Sequence, residues 1–218
     1  MKTVTAEDSA YQKIVHLILT RQYKPGDFLL EVDLSNKLGM SRTPVSRAIG
    51  RLVAEGFLAK IPKKGCYIPQ PTPEDAEQVF LARMAVEGES AASAALKASD
   101  DELHALDLIL ESDAASQKKH DKDGYARNNI SFHLGIAKAA HNLYLETWCS
   151  QILWRSNLYI FYFDSFYMLS KPKGVPLQQT PSQHKEILDA LQERSPERAA
   201  QCMRDHIQYT YEKLMFGY

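Results

Sequence analysis

Four side chains in the later part of the chain belong to types that bind transition metals, and their spacing allows them to meet. Asn129 and His133 are four residues apart, so on a helix they share one face. His184 and His206 lie at similar distances on either side of a turn near Arg194, so two antiparallel helices would hold both imidazoles at a similar depth. Three imidazoles and an amide oxygen suit zinc, nickel or manganese. From the spacing alone, ordinary helical histidines without a ligand remain the alternative.

The basic residues of the first 70 positions form a second candidate site. Residues 1–70 hold 11 Lys/Arg and 6 Asp/Glu, whereas the other 148 residues hold 15 and 21. A basic module joined to an acidic body is typical of a nucleic-acid-binding head, although surface charge also segregates by chance. The candidate DNA contacts are Arg42, Thr43, Ser46, Arg47 and Arg51 on one helix and Lys63, Lys64 and Gly65 at a hairpin tip.

The elements that must position these basic residues can be read from hydrophobic spacing and turn signals. Helices are predicted over about 8–22, 31–38 and 41–55, with Ser41 as the N-cap of the third. Val45, Ile49 and Leu52 form an apolar stripe opposite the polar face of that helix. Two strands, 57–61 and 66–68, follow around a basic tip. The order predicts a winged helix-turn-helix, which can place one helix in a major groove. A surface helix in a plain helical domain is the alternative.

The remainder of the chain is predicted to be entirely helical. A proline-punctuated linker, 69–73, separates a DNA-binding domain over 1–70 from a second domain over 71–218. Helices are expected over about 72–98, from 99 onward after a capping box, and over 123–140, 143–169, 180–192 and 195–216, with a loop at 171–179. The fold class is therefore mainly α, a winged helix-turn-helix followed by an antiparallel bundle of six or seven helices.

Composition excludes several classes of protein. Hydrophobic residues make up 44% and charged residues 24%, which argues against disordered and collagen-like chains. Three scattered cysteines, without a Cys-x-x-Cys, favour neither a disulfide framework nor a thiolate zinc site. The first residues lack the apolar stretch of a signal peptide, and no run is long enough to span a membrane. These features predict a cytoplasmic protein.

Residues 10–70 closely resemble the GntR family of bacterial transcription regulators. The resemblance rests on YKPGDFL at 23–29, LSNKLGMSRTPVSRA at 34–48, RLVAEGFL at 51–58 and PKKGCYI at 62–68. Ser46 and Arg47 stand where the family has Arg and Glu, whereas Arg42 and Thr43 match. The resemblance implies a homodimer that binds a palindromic operator in double-stranded DNA.

Residues 74–213 resemble the all-helical ligand-binding domain of the FadR subfamily. The matching parts are Arg83-x-x-x-Glu87, Asn129-x-x-Phe132-His133, and the segments around His184 and His206. The resemblance implies that Asn129, His133, His184 and His206 hold a divalent metal, with Asn129 in place of the commoner Asp.

Arg83 is the candidate for holding an effector carboxylate, because an arginine fork matches a carboxylate in a bidentate manner. A surface ion pair between Arg83 and Glu87 is the alternative. The function expected is a transcription regulator controlled by a small organic acid in a metal-containing pocket, with no catalytic residues. The alternatives are a metal-dependent enzyme with a basic accessory domain and a pure metal sensor, although no His-Glu-x-x-His motif occurs.

Overall fold

The computed structural model describes residues 5–20, 22–70, 72–118, 122–162 and 179–216 of the 218-residue chain. The chain divides into two compact units, Met1–Thr72 and Pro73–Tyr218. The first unit combines helices with a small sheet, and the described part of the second is all helical. The predicted fold class, mainly α with an N-terminal winged helix-turn-helix, is confirmed.

The first unit contains three helices and three short strands in its described part. Their bounds are α1 Ala6–Leu19, β1 Phe28–Leu29, α2 Glu31–Leu38, α3 Arg42–Ala54, β2 Ala59–Ile61 and β3 Gly65–Tyr67. The three strands form an antiparallel sheet in the order β1-β3-β2. The core of the first unit contains buried apolar side chains of the three helices, including Ile14, Leu34, Val45, Ile49 and Leu52.

The turn between α2 and α3 sets the position of the third helix. Gly39 adopts a left-handed conformation with φ of 62°, and the N–H of Met40 donates to the carbonyl of Ser35. Ser41 is the N-cap of α3, as predicted, but its side chain makes no capping hydrogen bond. The turn therefore brings the first residues of α3 to the surface without a side-chain cap.

Two details of the sheet differ from the sequence prediction. The strand expected from residue 57 begins at Ala59, because the N–H groups of Phe57 and Leu58 both donate to the carbonyl of Leu52 and close the end of α3. Strand β1 was not predicted. It is two residues long, and only its pairing with β3, Phe28 opposite Tyr67, makes it a strand.

The described part of the second unit contains six helices. They are α4 Pro73–Lys97, α5 Asp100–Lys118, α6 Lys122–Ala139, α7 Leu143–Tyr162, α8 Gln179–Gln192 and α9 Pro196–Phe216. The predicted helix end at Leu169 and the predicted loop up to residue 178 lie outside the described residues. The helix predicted from Thr180 begins at Gln179.

Small residues and caps explain how these six helices pack. Ala91, Ala94 and Ala95 of α4 are fully buried, and small side chains let a neighbouring helix approach closely. Ser99 and Glu102 form the predicted capping box at the start of α5. The side chain of Asn142 accepts hydrogen bonds from two N–H groups in the first turn of α7. Among the described helices, none has the length and apolar character needed to cross a lipid bilayer.

Candidate metal centre and nucleic-acid interface

Helix α3 presents one exposed face and one buried face. Val45, Ile49 and Leu52 are at most 3% exposed and form the buried stripe. Arg42, at the first position of the helix, Thr43 and Arg47 are exposed. Side chains near the N-terminus of such a helix can reach base edges in a major groove, and arginine can grip guanine with two hydrogen bonds. The exposed face is therefore equipped for DNA contact.

Two of the predicted DNA contacts are already bonded within the first unit. The hydroxyl of Ser46 donates to Glu31 at 2.9 Å. Arg51 donates to Glu55 at 2.8 Å and to Asp8 at 3.3 Å, and its guanidinium lies 4.1 Å from the centre of the Tyr11 ring. The hydrogen bond to Glu55 raises the pKa of Arg51. These contacts connect α3 to α2 and α1.

The hairpin between β2 and β3 carries the remaining basic candidates. Lys63 and Lys64 are exposed, and the N–H of Lys64 closes the turn on the carbonyl of Ile61 at 3.1 Å. Lys63 has a φ of 64° and Gly65 a φ of 113°, a region that favours glycine. The turn thus holds two adjacent lysines at the tip, where they can lie along a phosphate backbone.

The three predicted histidines meet in the interior of the second unit. His133 of α6, His184 of α8 and His206 of α9 are each at most 3% exposed. One ring nitrogen of each lies within 4.8 Å of the others, and Nε2 of His184 is 3.3 Å from Nε2 of His206. Two imidazole nitrogens bound to one tetrahedral zinc at its usual bond length are also about 3.3 Å apart. The His184–His206 pair therefore has the nitrogen spacing of a metal site, and a ring nitrogen of His133 lies within 4.8 Å of both.

A second layer of polar groups orients two of these imidazoles. Nδ1 of His133 donates to Glu87 at 2.5 Å, and Nδ1 of His206 donates to Oε1 of Gln183 at 3.0 Å. In the neutral form of each ring these bonds place the proton on Nδ1 and leave the lone pair on Nε2, the form that a metal ligand requires. Nε2 of His133 is buried and has no hydrogen-bond partner in the described structure. A carboxylate behind a ligand histidine is a common feature of metal centres.

The electrostatics keep two imidazoles neutral and one carboxylate charged. Burial, reinforced by the neighbouring histidines, lowers the pKa of His184 and His206 well below the ordinary value. Burial by itself would raise the pKa of Glu87, but the charges and hydrogen bonds of Arg83 and His133 outweigh it and lower the value to about 2. Neutral imidazoles are the form that binds a metal.

Arg83 and Asn129 lie close to this centre in different ways. Arg83 is 1% exposed and donates to Glu87 at 2.6 Å. The ion pair between Arg83 and Glu87 that the sequence left as an alternative is present, but it lies in the interior and not at the surface. The charge of Arg83 contributes to the lowered pKa of His184 and His206. Asn129 is half-buried on α6, one helical turn before His133.

Glu87 and Gln183 are the site residues that sequence reasoning missed in this role. Glu87 was recognised only as the neighbour of Arg83, although the same carboxylate also binds His133. Gln183 directly precedes His184 but binds His206 on the next helix. No sequence signal indicates either contact with a histidine.

The winged helix-turn-helix and the helical bundle together define the class of DNA-binding transcription regulators. Residues 6–68 match the gntR family of bacterial regulatory proteins, and residues 78–209 match the FCD domain. The chain belongs to the GntR family and carries an FCD domain of the FadR-like subfamily. Like the two sequence relatives described next, it is a transcription regulator and not an enzyme.

Two relatives in sequence are HTH-type transcriptional regulators. The regulator in the TAR-I ttuE-ttuC' intergenic region of Agrobacterium vitis is 32% identical over 61% of this chain and 79% of its own. YcbG of Bacillus subtilis is 27% identical over 98% of this chain and 91% of its own.

Two solved structures share the fold. E. coli McbR/YncC superposes with a TM-score of 0.85 at 24% identity, over 99% of this chain and 100% of that one. A GntR regulator from Rhodococcus superposes with a TM-score of 0.77 at 19% identity, over 97% and 98%. At these identities the two structures show the fold alone.

Proposed function

We propose that this regulator binds a short palindromic operator as a homodimer in the cytoplasm, and that a small organic acid in a metal-containing pocket modulates that binding. The observation that carries the proposal is the buried cluster of His133, His184 and His206, with Nε2 of His133 unpartnered among the described residues. A buried polar atom without a partner is costly unless something bonds to it.

The proposed DNA contacts divide into those that read bases and those that hold phosphates. Arg42, Thr43 and Arg47 are the exposed side chains of α3 and would enter the major groove. Lys63, Lys64 and Gly65 at the hairpin tip would contact the backbone. Ser46 and Arg51 are proposed to contribute less to DNA binding, because each would have to break a hydrogen bond within the first unit in order to contact DNA.

The residues of the histidine cluster fit a divalent transition metal. Imidazole nitrogens suit zinc, nickel or manganese, and the oriented lone pairs of His133 and His206 match what a ligand must offer. Asn129, on the same helical face as His133, is proposed as a weak oxygen ligand. When bound, the metal would supply a positive charge and open positions for an anionic ligand.

The balance of charges favours an acid as the effector. Arg83 and Glu87 carry opposite charges, His184 and His206 are neutral, and any imidazole binds a metal in its neutral form, so these groups and Asn129 would leave a bound dication uncompensated. A carboxylate would supply the missing negative charge. Two of the three guanidinium nitrogens of Arg83 donate to Glu87, and the third is proposed to contact the effector.

The homodimer is supported by exposed apolar side chains at the start of α7. Leu143, Tyr144 and Trp148 are 73%, 68% and 51% exposed, and the two aromatic rings lie 6.0 Å apart. Leu81 of α4 is also 56% exposed. Exposed apolar side chains in contact, such as Tyr144 and Trp148, are typical of protein–protein contact surfaces. A two-fold dimer also matches a palindromic operator.

The test combines metal analysis with operator binding. Purified protein incubated with zinc, nickel or manganese should retain about one equivalent of metal, whereas His133→Ala/His206→Ala should retain none. His141→Ala, which removes an exposed histidine from the same unit, is the matched control and should bind metal normally. A mixture of small carboxylates should then change operator affinity only in metal-loaded protein.

The outcomes separate the rival functions. Operator release by metal without any acid would favour the pure metal sensor. Equal metal content in the parent and the double variant would show that these histidines do not form the site. An acid response that persists in metal-free protein would leave Arg83 as the effector group and remove the metal from the proposal.

A further inference from the structure

Gly50 lies near the middle of α3, at a kind of position where glycine is unfavourable. The helix runs over Arg42–Ala54, and Gly50 has no positive φ that would call for glycine. After proline, glycine is the residue that least favours a helix interior, because it loses the most backbone freedom when the helix forms. A glycine at an exposed position within a helix therefore needs a reason of another kind.

Two glycines of the second unit have the usual reason, which is close packing. A Cβ atom at Gly88 of α4 would lie 2.8 Å from the side chain of Arg204, and one at Gly135 of α6 would lie 2.7 Å from Leu106. At Gly50 a Cβ atom would have no such neighbour within 4 Å in the described structure. Packing within the chain therefore accounts for the first two glycines but not for Gly50.

Gly50 faces away from the core of the first unit. At about 100° per residue, it lies about 150° around the helix from the centre of the buried stripe. It is exposed, as are Thr43 and Arg47, which share this face. The stripe consists of Val45, Ala48, Ile49 and Leu52. The missing side chain is therefore on the face that is proposed to enter the major groove.

A major groove leaves little room around a helix. The groove is about 12 Å wide, and a helix with its side chains is about 10–12 Å across. Gly50 makes α3 narrower on its exposed face. Ser46, one turn earlier, is short, and its hydroxyl donates to Glu31 at 2.9 Å. Beyond the first turn, this part of the face can therefore approach DNA more closely than a helix with long side chains could.

Basic side chains lie beside Gly50. Arg47 and Arg51 are four residues apart, so they form a row along the helix next to the glycine. Both are exposed. Guanidinium groups attract phosphates. A helix surface without a side chain, next to a basic row, suits the sugar-phosphate backbone better than it suits a base edge, which is recognised by side-chain hydrogen bonds.

We infer that Gly50 is the point where the DNA backbone passes closest to α3, and that its missing side chain determines how deeply the helix enters the groove. This inference rests on the proposed DNA interface and adds a positioning residue to it. Since the effect is steric, a side chain at this position should stabilise the free protein and weaken its complex with DNA. A glycine that served only the fold would not produce these opposite effects.

The test measures stability and DNA affinity on the same variants. Gly50→Ala should raise the Tm by about 2–4 °C, because alanine favours a helix and its Cβ meets open space. The DNA probe is a duplex selected from a random library by its affinity for the parent protein. Gly50→Ala should bind this duplex more weakly than the parent, and Gly50→Leu should lose affinity by about tenfold or more.

Two controls show where the added side chain acts. A duplex of unrelated sequence should lose affinity for Gly50→Leu by a similar factor, because its backbone is the same. Ala114→Leu adds the same side chain at an exposed position of α5 and should bind both duplexes as the parent does.

Arg42→Ala separates the inference from the proposed interface. If Arg42→Ala weakens binding but Gly50→Leu does not, the inference is overturned and the interface stands. If neither variant loses affinity, both are wrong. A loss confined to the selected duplex would place base edges, and not the backbone, against Gly50. A lower Tm in Gly50→Ala would show that the fold itself needs the glycine. Each of these last two results would also overturn the inference.

Discussion

Replacing Glu87 by Gln tests the connection between the fold and the proposed metal centre. Glu87 is 1% exposed and accepts hydrogen bonds from Arg83 at 2.6 Å and His133 at 2.5 Å. Glutamine has nearly the same shape but no charge. The substitution therefore leaves the buried guanidinium of Arg83 without its counter-charge and weakens the bond that orients His133.

The magnitude follows from the burial of this ion pair. Removing one partner of a buried pair destabilises a protein by about 3–5 kcal/mol. Typical domains have about 5–15 kcal/mol of stability in total. We therefore expect a large fall in the free energy of unfolding of Glu87→Gln. Loss of the group behind a ligand histidine also weakens metal binding by about 10–100-fold.

Two assays measure these effects separately. Urea denaturation of chelator-treated protein gives the free energy of unfolding, and competition with a chromophoric chelator gives zinc affinity. Glu102→Gln is the control, because Glu102 forms the same kind of Glu–His contact with His141, at 3.0 Å, but in a solvent-accessible position. Glutamine preserves the capping box of Glu102, so the control should lose less than about 1 kcal/mol.

Either of two results would refute the reasoning. A Glu87→Gln protein that unfolds within 1 kcal/mol (about fivefold in the unfolding equilibrium) of the parent would show that Arg83 does not depend on this carboxylate. A protein that loses stability but binds zinc as tightly as the parent would show that Glu87 does not position His133 for a metal.

Four further predictions concern DNA, assembly and pH. Arg42→Ala should weaken operator binding by about 1–3 kcal/mol in a fluorescence titration. Lys63→Ala/Lys64→Ala should weaken binding to all sequences alike and flatten the dependence of affinity on salt. Trp148→Glu should shift the protein toward monomer in sedimentation, because it places a charge in the exposed apolar surface. Because burial raises the pKa of Asp113 to about 6, the folded state binds its proton more tightly than the unfolded state. Between pH 4 and 7 the parent should therefore lose roughly 2 kcal/mol of stability relative to Asp113→Asn.

Each of these predictions has a result that contradicts it. Unchanged operator affinity in Arg42→Ala, with exposed Lys13→Ala as the comparison, would remove Arg42 from the interface. A salt slope equal to that of the parent would exclude the hairpin lysines from phosphate contact. If Trp148→Glu remains a dimer, the subunit contact lies elsewhere. If the stability of the parent and of Asp113→Asn depends on pH in the same way, Asp113 keeps its ordinary pKa in the folded protein.

Much of the helical architecture could be read from the sequence because its causes are local. The capping box of Ser99 and Glu102, the glycine after α2 and the apolar stripe of α3 each depend on residues within a few turns. Strand β1 has no comparable signal, because two residues become a strand only through pairing with β3. Ser46 and Arg51 are predicted from the sequence to contact DNA, whereas their bonds to Glu31 and Asp8 arise from the packing of α3 against other helices.

The sequence by itself determined which side chains could form the candidate centre, since the i, i+4 spacing of Asn129 and His133 and the positions of His184 and His206 follow from the chain alone. Only the tertiary structure decided that the three imidazoles converge within 4.8 Å and that Glu87 bonds both Arg83 and His133. It also buries Asp113 without a hydrogen-bond partner among the residues that the structure describes. The physical reason is that helical periodicity fixes the face on which a side chain lies, whereas the register of one helix against another depends on packing throughout the core.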